Sequence, residues 1–339
     1  MAKSLIKALL CGVCVSSGAA TVSAAEVNLY TTREPGLLQP LIDAFQAQTG
    51  NTVNTIFLKD GLAERVASEG ESSPADVLMT VDFGNLVDLV DKGLTQPVTS
   101  ETLESAIPEN LRDANGNWFG LSARARVLYA AKDLDLDSFT YEELADPKWR
   151  GKVCIRSGQH PYNTALFAAY DAHHGSEATQ TWLEGVKANL ARKAGGGDRD
   201  VARDIMGGIC DIGIANSYYV GLMRSGAGGP EQEEWAKAIK VILPTFEGGG
   251  TQANITGAAI AANAPNRDVA VELVEFLVSE NAQEIYARAN YEYPVREGVD
   301  LDPIVAEFGT FSIDPTPITT IASRRASAAE LAEKVVFDD

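Results

Sequence analysis

Residues 27–58 read VNLYTTREPGLLQPLIDAFQAQTGNTVNTIFL, and the period of their apolar residues changes twice. Val27 to Thr31 is a short apolar run that reads as a buried strand. Leu37 to Thr49 follows with Leu38, Leu41, Ile42 and Phe45 at helical spacing, and Gly50 stops it. Thr52 to Leu58 is β-branched and apolar, a second strand. The alternation continues: Leu62 to Ser68 reads as a helix closed by Gly70, Ala75 to Val81 as a strand, and Phe83 to Lys92 as a helix closed by Gly93. Such a series predicts a mostly parallel sheet with helices on both faces.

A second series opens near Leu121. Arg124 to Ala130 reads as a strand that carries the chain out of a first lobe, and Lys152 to Ile155 as another strand. Helices are expected at Tyr162 to His173, Thr179 to Leu190 and Asp200 to Met206, then a strand from Cys210 to Ala215. Lys240 to Leu243 is again a strand, with Pro244 marking a return crossing. Thr256 to Ala261 is a strand of small residues, Val269 to Val278 and Ala282 to Ala289 are helices, and a helical tail starts near Thr319. A chain of 339 residues exceeds one ordinary hydrophobic core. The expected class is therefore α/β with two lobes, each a mixed sheet flanked by helices. One lobe takes 26–124 and 246–295, the other 125–245 and 296–339. Two crossings leave a ligand cleft at the hinge.

Residues 1–25 read as a secretory signal peptide. Lys3 and Lys7 precede an apolar, small-residue run from Ala8 to about Val22, and Val22-Ser23-Ala24 offers small residues for cleavage. The run is too short and too rich in Ser, Gly and Ala to span a bilayer, which needs about 20 apolar residues. Neither Cys11 nor Cys14 follows a small residue, so neither reads as a lipidation site. The expected location is the periplasm. The chain carries 47 acidic against 28 basic residues. That excess repels nucleic acid and anionic membranes and attracts cations, although solubility alone accounts for it equally well. Cys154 and Cys210 remain in the mature chain, and two cysteines in an exported protein suggest one disulfide.

Nothing in the chain points to catalysis. There is no HExxH, CxxC, GxSxG, Walker or calcium-loop motif, and the acids are scattered. Of the three histidines, His173 and His174 read as a favourable charge at a helix C-terminus, while His160 stands just before a helix start. An exported hydrolase would need a nucleophile or a metal–histidine site that the sequence does not offer.

Tyrosine is the residue type that stands out. Tyr129, Tyr141, Tyr170 and Tyr286 lie in apolar surroundings and read as core. Tyr291 and Tyr293, in Asn290-Tyr291-Glu292-Tyr293-Pro294, read as closing the lobe junction. Tyr218 and Tyr219 follow a strand and the capping residues Asn216 and Ser217, so they sit where a strand ends and a helix begins. At a helix start neighbouring side chains are about 100° apart and converge, whereas in a strand they diverge. Tyr162 occupies a similar place. A phenol is neutral at pH 7, but a multivalent cation converts it to phenolate, a hard anionic donor. Three phenolates balance Fe³⁺, whereas Ca²⁺ and Mg²⁺ prefer carboxylates and carbonyls. The rival reading is an aromatic wall for a small organic cation such as a polyamine or thiamine.

Several motifs together resemble the periplasmic ferric-iron-binding proteins of ABC transporters, the bacterial members of the transferrin-like superfamily. They are Val27-Asn28-Leu29-Tyr30 with Thr31-Thr32-Arg33, Ser73-Pro74-Ala75-Asp76-Val77-Leu78, Trp118-Phe119-Gly120-Leu121 and Arg124-Ala125-Arg126-Val127. Gly151-Lys152-Val153-Cys154-Ile155-Arg156-Ser157 and Tyr162-Asn163 add to them, and Asn216-Ser217-Tyr218-Tyr219 is the most specific. The likeness covers essentially the whole mature chain. It implies a type II two-lobed periplasmic binding fold and an Fe(III) cargo held by Tyr162, Tyr218 and Tyr219. It also implies a Cys154–Cys210 disulfide and an inner-membrane ABC permease as partner, with no nucleic acid, and the receptor is expected to act as a monomer. The family's first-lobe His or Tyr is missing from Arg33-Glu34-Pro35-Gly36, where Glu34 is the substitute on offer. The chain looks more like the subgroup in which a synergistic anion such as carbonate completes the coordination. Arg33, together with one of Arg124 and Arg126, is the expected bidentate donor to that anion, with Ser157, Gly158 and Asn163 as further donors at a helix start.

Overall fold

The computed structural model describes residues 24–309 and 312–339, so the predicted leader lies, apart from Ala24 and Ala25, outside the described residues. The first lobe opens with β1 (Glu26–Thr31), α1 (Pro35–Thr49), β2 (Thr52–Phe57), α2 (Leu62–Glu69), β3 (Val77–Thr80) and α3 (Phe83–Asp91). β1 pairs in parallel with both β2 and β3. In α1, Leu38, Leu41, Ile42 and Phe45 are the buried face, and Gly50 ends the helix in the left-handed conformation at φ 75°. The helix begins two residues before the expected Leu37 because Pro35 suits the first helical position, where no N–H is needed.

β4 (Thr95–Gln96) and α4 (Glu101–Ala106) lead to β5 (Phe119–Ala131), 13 residues long and buried almost throughout. The second lobe holds β6 (Val153–Cys154), α5 (Pro161–His174), α6 (Ser176–Ala188), α7 (Asp198–Met206), β7 (Ile212–Asn216), α8 (Tyr218–Arg224), α9 (Pro230–Lys237) and β8 (Ile239–Ile242). The chain then returns through β9 (Ala253–Ala261), α10 (Arg267–Leu277), α11 (Glu280–Asn290) and β10 (Tyr293–Pro294). It finishes with α12 (Pro303–Ala306), α13 (Ile318–Ser323) and α14 (Arg325–Lys334). β4, α4, α9, β10 and α12 lie outside the sequence expectations. Four of them are too short to show a period, and α9 buries only Ala236, so it has no apolar stripe.

Among the described residues the strand order is β2-β1-β3-β9-β5-β7-β6, with β4 on β9 and with β8 and β10 on β5. β5 links the lobes. Its first half, through Ala125, pairs with β9; its second half, from Arg126, pairs with β7 and β8. The return crossing lies at Gln252–Ala253, where Arg126 N donates to Gln252 O at 2.9 Å, rather than at Pro244. Residues 246–251 instead pack on the second lobe, with the Phe246 ring against Tyr141 and Thr251 bridged to Ile313.

Helix α5 is buried from Asn163 to Asp171, with α13 and α14 packed on it. A disulfide joins Cys154, at the end of β6, to Cys210, just before β7, across a sequence separation of 56. It closes a loop containing α5, α6 and α7. In the chain-entropy account such a closure contributes about 4 kcal/mol. A Cys154→Ser, Cys210→Ser variant is therefore expected to lose about that much unfolding free energy in denaturant titration; a midpoint equal to that of the parent would contradict this.

Candidate metal centre

Three tyrosines from two elements meet at the cleft. Tyr162 is the second residue of α5, and Tyr218 and Tyr219 open α8 directly after β7. All three line one cavity of about 250 Å³ together with Arg33, Glu34, Arg124, Arg199 and Glu292. A second cavity of about 580 Å³ shares Thr32, Glu34, Val81 and Tyr162 with it and runs out past Asp82 and His160. Among the described residues no three His, Cys, Asp or Glu side chains converge on a point that could hold a metal ion.

The phenol rings of Tyr218 and Tyr219 lie 4.1 Å apart between centroids. Burial pushes the Tyr218 hydroxyl well above its usual pKa, and the neighbouring Tyr162 and Tyr219 add to the shift, while Arg124 opposes it. Tyr219 is raised by burial and then by Tyr162 and Asp198. Tyr218 and Tyr219 thus resist ionisation, first because they are buried and then because other phenols are close. His160 caps α5 by accepting from Tyr162 N at 3.2 Å, and its ring meets the Tyr162 ring at 4.6 Å. Burial and then Arg156 lower its pKa to about 4, so it is neutral at pH 7.

The second-lobe wall is organised by Asp198, the first residue of α7, whose side chain is fully buried. Its Oδ2 accepts from Arg126 Nη1 at 2.7 Å and from Asn216 N at 2.8 Å. Its Oδ1 accepts from Arg156 Nη1 at 3.1 Å. Arg156 and Arg126 in turn lie against the Tyr162 ring, at 5.1 and 6.0 Å from its centroid. One carboxylate thereby fixes the end of β7, two residues before Tyr218, and the cations beside Tyr162. The expected capping by Asn216 and Ser217 does not occur: Ser217 Oγ has no hydrogen-bond partner, and Asn216 Oδ1 accepts from Arg126 instead.

The predicted anion donors divide into two groups. Arg33 and Arg124 line the cavity and are both buried. Arg33 Nη1 donates to Thr256 Oγ1 at 2.8 Å and to Glu292 at 3.0 Å, while its Nε and Nη2 find no partner in the protein. Arg124 donates to Thr256 Oγ1 at 2.7 Å and to Val81 O, and its Nε has no partner. Burial alone would lower the Arg124 pKa, but Glu292 and then Tyr162 and Tyr218 hold it above the ordinary value.

Arg126, Ser157, Gly158 and Asn163 do not line either cavity. Both Nη atoms of Arg126 are taken, by Asp198 and Asn216 and by Asn163 Oδ1 at 2.6 Å. Asn163 Nδ2 donates to the carbonyls of Arg156 and Ser157. Ser157 Oγ and Gly158 N, the latter at 2.6 Å, both donate to the carboxylate of Asp338 near the C-terminus. That loop is bound to an anion, but the anion is the chain's own tail.

Three site residues were beyond sequence reasoning. Arg199 lines the cavity with a buried, unpartnered Nε and lies 5.3 Å from the Tyr219 centroid. Asp198 and Glu292 are buried carboxylates held by arginines distant in sequence. The one usable signal for the first pair was the Asp-Arg-Asp run that opens a helix after Gly195-Gly196-Gly197.

A sequence model of the bacterial extracellular solute-binding proteins matches residues 72–309. The chain belongs to that family. Iron uptake protein A1 of Synechocystis is 43% identical over 309 residues, covering 90% of this chain and 86% of its own length. A solved Bordetella ferric binding protein superimposes with a TM-score of 0.89 at 65% identity, covering 93% of this chain and 100% of the other. A Trichodesmium protein solved in complex with iron and citrate ligands gives a TM-score of 0.87 at 39% identity, with 92% and 99% covered. The fold is that of the two-lobed periplasmic binding proteins.

In this solute-binding protein the cleft wall depends on a charge that cannot reach water. Removing one partner of a buried ion pair typically costs about 3–5 kcal/mol, because the other charge is left unpaired. Asp198→Asn is expected to lower the unfolding free energy by an amount in that range, read by denaturant titration. A loss under about 1 kcal/mol would contradict the organising role given to this carboxylate.

Proposed function

We propose that this protein is a periplasmic receptor that captures Fe(III) with the phenolates of Tyr162, Tyr218 and Tyr219 and hands it to an inner-membrane ABC permease, acting as a monomer. The observation that carries this reading is the convergence of three phenols on a cavity whose nearest cations have spare N–H groups. Phenolate is a hard donor, and three of them neutralise Fe³⁺. The ferric binding and iron uptake proteins among the relatives support the same cargo.

The unpartnered guanidinium N–H groups of Arg33, Arg124 and Arg199 favour an oxyanion beside the metal, with carbonate as the simplest candidate. A planar oxyanion suits the bidentate geometry of a guanidinium. The Trichodesmium relative holds citrate together with iron, so a carboxylate chelator is a second candidate for the same donors. Glu34 reaches both cavities from the first lobe and is the carboxylate available to complete coordination when the lobes close about β5 and β9. An organic cation is disfavoured, because it would face three guanidinium groups. The role is binding and delivery, with no chemistry done on the cargo.

Ionisation of the phenols sets the pH dependence. Tyr218 and Tyr219 are protonated at pH 7, their pKa values being raised, so capture as phenolates releases a proton from each. Affinity should therefore rise with pH through the neutral range and fall in acid. Titration of metal-free protein with ferric citrate, with bicarbonate present, is expected to produce a visible phenolate-to-iron charge-transfer band that saturates at one equivalent. Tyr218→Phe and Tyr219→Phe should each lose most of it. A colourless titration would overturn the ferric reading.

A further inference from the structure

The stretch Asn290-Tyr291-Glu292 joins parts of the molecule that the metal centre needs at a fixed spacing. Tyr291 ends α11 at φ 56°, ψ 33°, a left-handed conformation that a bulky L residue rarely adopts. The turn lays its ring on the backbone of α8. A Cβ added at Gly221 would stand 2.1 Å from Tyr291 Cγ and 2.4 Å from its Cβ, so only glycine admits this contact. Gly221 is three residues after Tyr218 and lies on the same side of the helix, and Leu222 beside it lines the cavity. The next residue, Glu292, is 3% exposed and places its carboxylate 3.0 Å from Arg33 and 3.7 Å from Arg124. Tyr293 then pairs with Ala123 of β5, the strand that links the lobes.

We propose that Tyr291 is a positioning residue for the metal centre. Its ring, seated on Gly221, sets the separation between the phenols of α8 and the guanidinium pair held by Glu292. Metal and anion are then bound together by groups from both lobes. The proposal rests on the ferric reading above and adds to it a residue that touches neither ion. It also gives a reason for the unfavourable backbone at position 291: a right-handed residue there would carry the ring off α8 and shift Glu292 away from the arginines.

The test is a double-mutant cycle on iron affinity and on the position of the charge-transfer band, with thermal unfolding of the metal-free protein as control. Gly221→Ala improves helix propensity, so a bland packing position would tolerate it. Here it is expected to weaken iron binding about tenfold or more and to move the band, because the methyl drives α8 off the Tyr291 ring. In the Tyr291→Gly background, where the ring is gone and the backbone conformation is kept, the same change should cost less than about threefold. Tyr291→Phe keeps the ring and should restore parental affinity. If Gly221→Ala does not fold, Tyr291→Asn, which tolerates the left-handed backbone, carries the test. A loss of about tenfold in affinity with an unchanged metal-free melting temperature supports the proposal, and parental affinity overturns it. Equal cost of Gly221→Ala in both backgrounds, or no cost in either, also overturns it. A parent protein that never colours with iron would instead defeat the ferric reading itself.

Discussion

A carboxylate with no access to water has to be paired, and Asp198 is paired three times. Arg126 comes from the strand that links the lobes, Arg156 from the loop before α5, and the Asn216 amide from the last residue of β7. Each partner lies within a few residues of a cleft tyrosine or directly against one. The ion pair therefore fixes where the second lobe presents its phenols. Its value is geometric more than energetic, since a buried pair is weak evidence for net stability while its disruption is costly.

The electrostatics run in opposite senses at long and short range. The chain as a whole is acidic, with a formal charge of −19, which draws cations toward it. The wall of the inner cavity is instead lined by Arg33, Arg124 and Arg199, and Glu34 and Glu292 offset only part of their charge. Neutral phenols stand among them. A bare cation is poorly matched to such a wall, and so is a bare anion next to neutral phenols. In the proposed reading the two together fit: a metal would draw protons off the phenols, and an anion would take the spare guanidinium N–H groups. Burial of Tyr218 and Tyr219, which raises their pKa values, keeps these two hydroxyls neutral in the metal-free protein.

Much of the architecture was legible because it is written in local periodicity. The strand–helix alternation of 26–93, the helices of α5, α6, α10 and α11 and the strand before Tyr218 all show in the spacing of apolar residues. The two-lobed class followed from chain length and two strand–helix series. The meeting of Tyr162, Tyr218 and Tyr219 at one cavity was legible because each stands at a strand-to-helix or loop-to-helix junction, and the family resemblance pointed to the same three. What sequence could not show was how arginines are shared out. Arg126 has the same local context as Arg124, two residues earlier in one strand, yet one faces the cleft and the other the carboxylate of Asp198. Ser157 and Gly158 look like free donors until the tail returns 180 residues later and Asp338 occupies them. Such long-range pairings leave no periodic trace. The residues that precede the return crossing, 246–251, are similarly silent about which lobe they pack on.

The central claim is the placement of iron among three phenols. Crystals of the iron-loaded protein, with diffraction recorded on either side of the iron absorption edge, test it most directly. The account predicts one strong anomalous peak in bonding contact with the hydroxyl oxygens of Tyr162, Tyr218 and Tyr219, and an oxyanion between that peak and the guanidinium groups of Arg33 and Arg124. A peak among the carboxylates of the outer cavity, near Asp60, Glu64 and Asp88, with the phenols unligated, would contradict it.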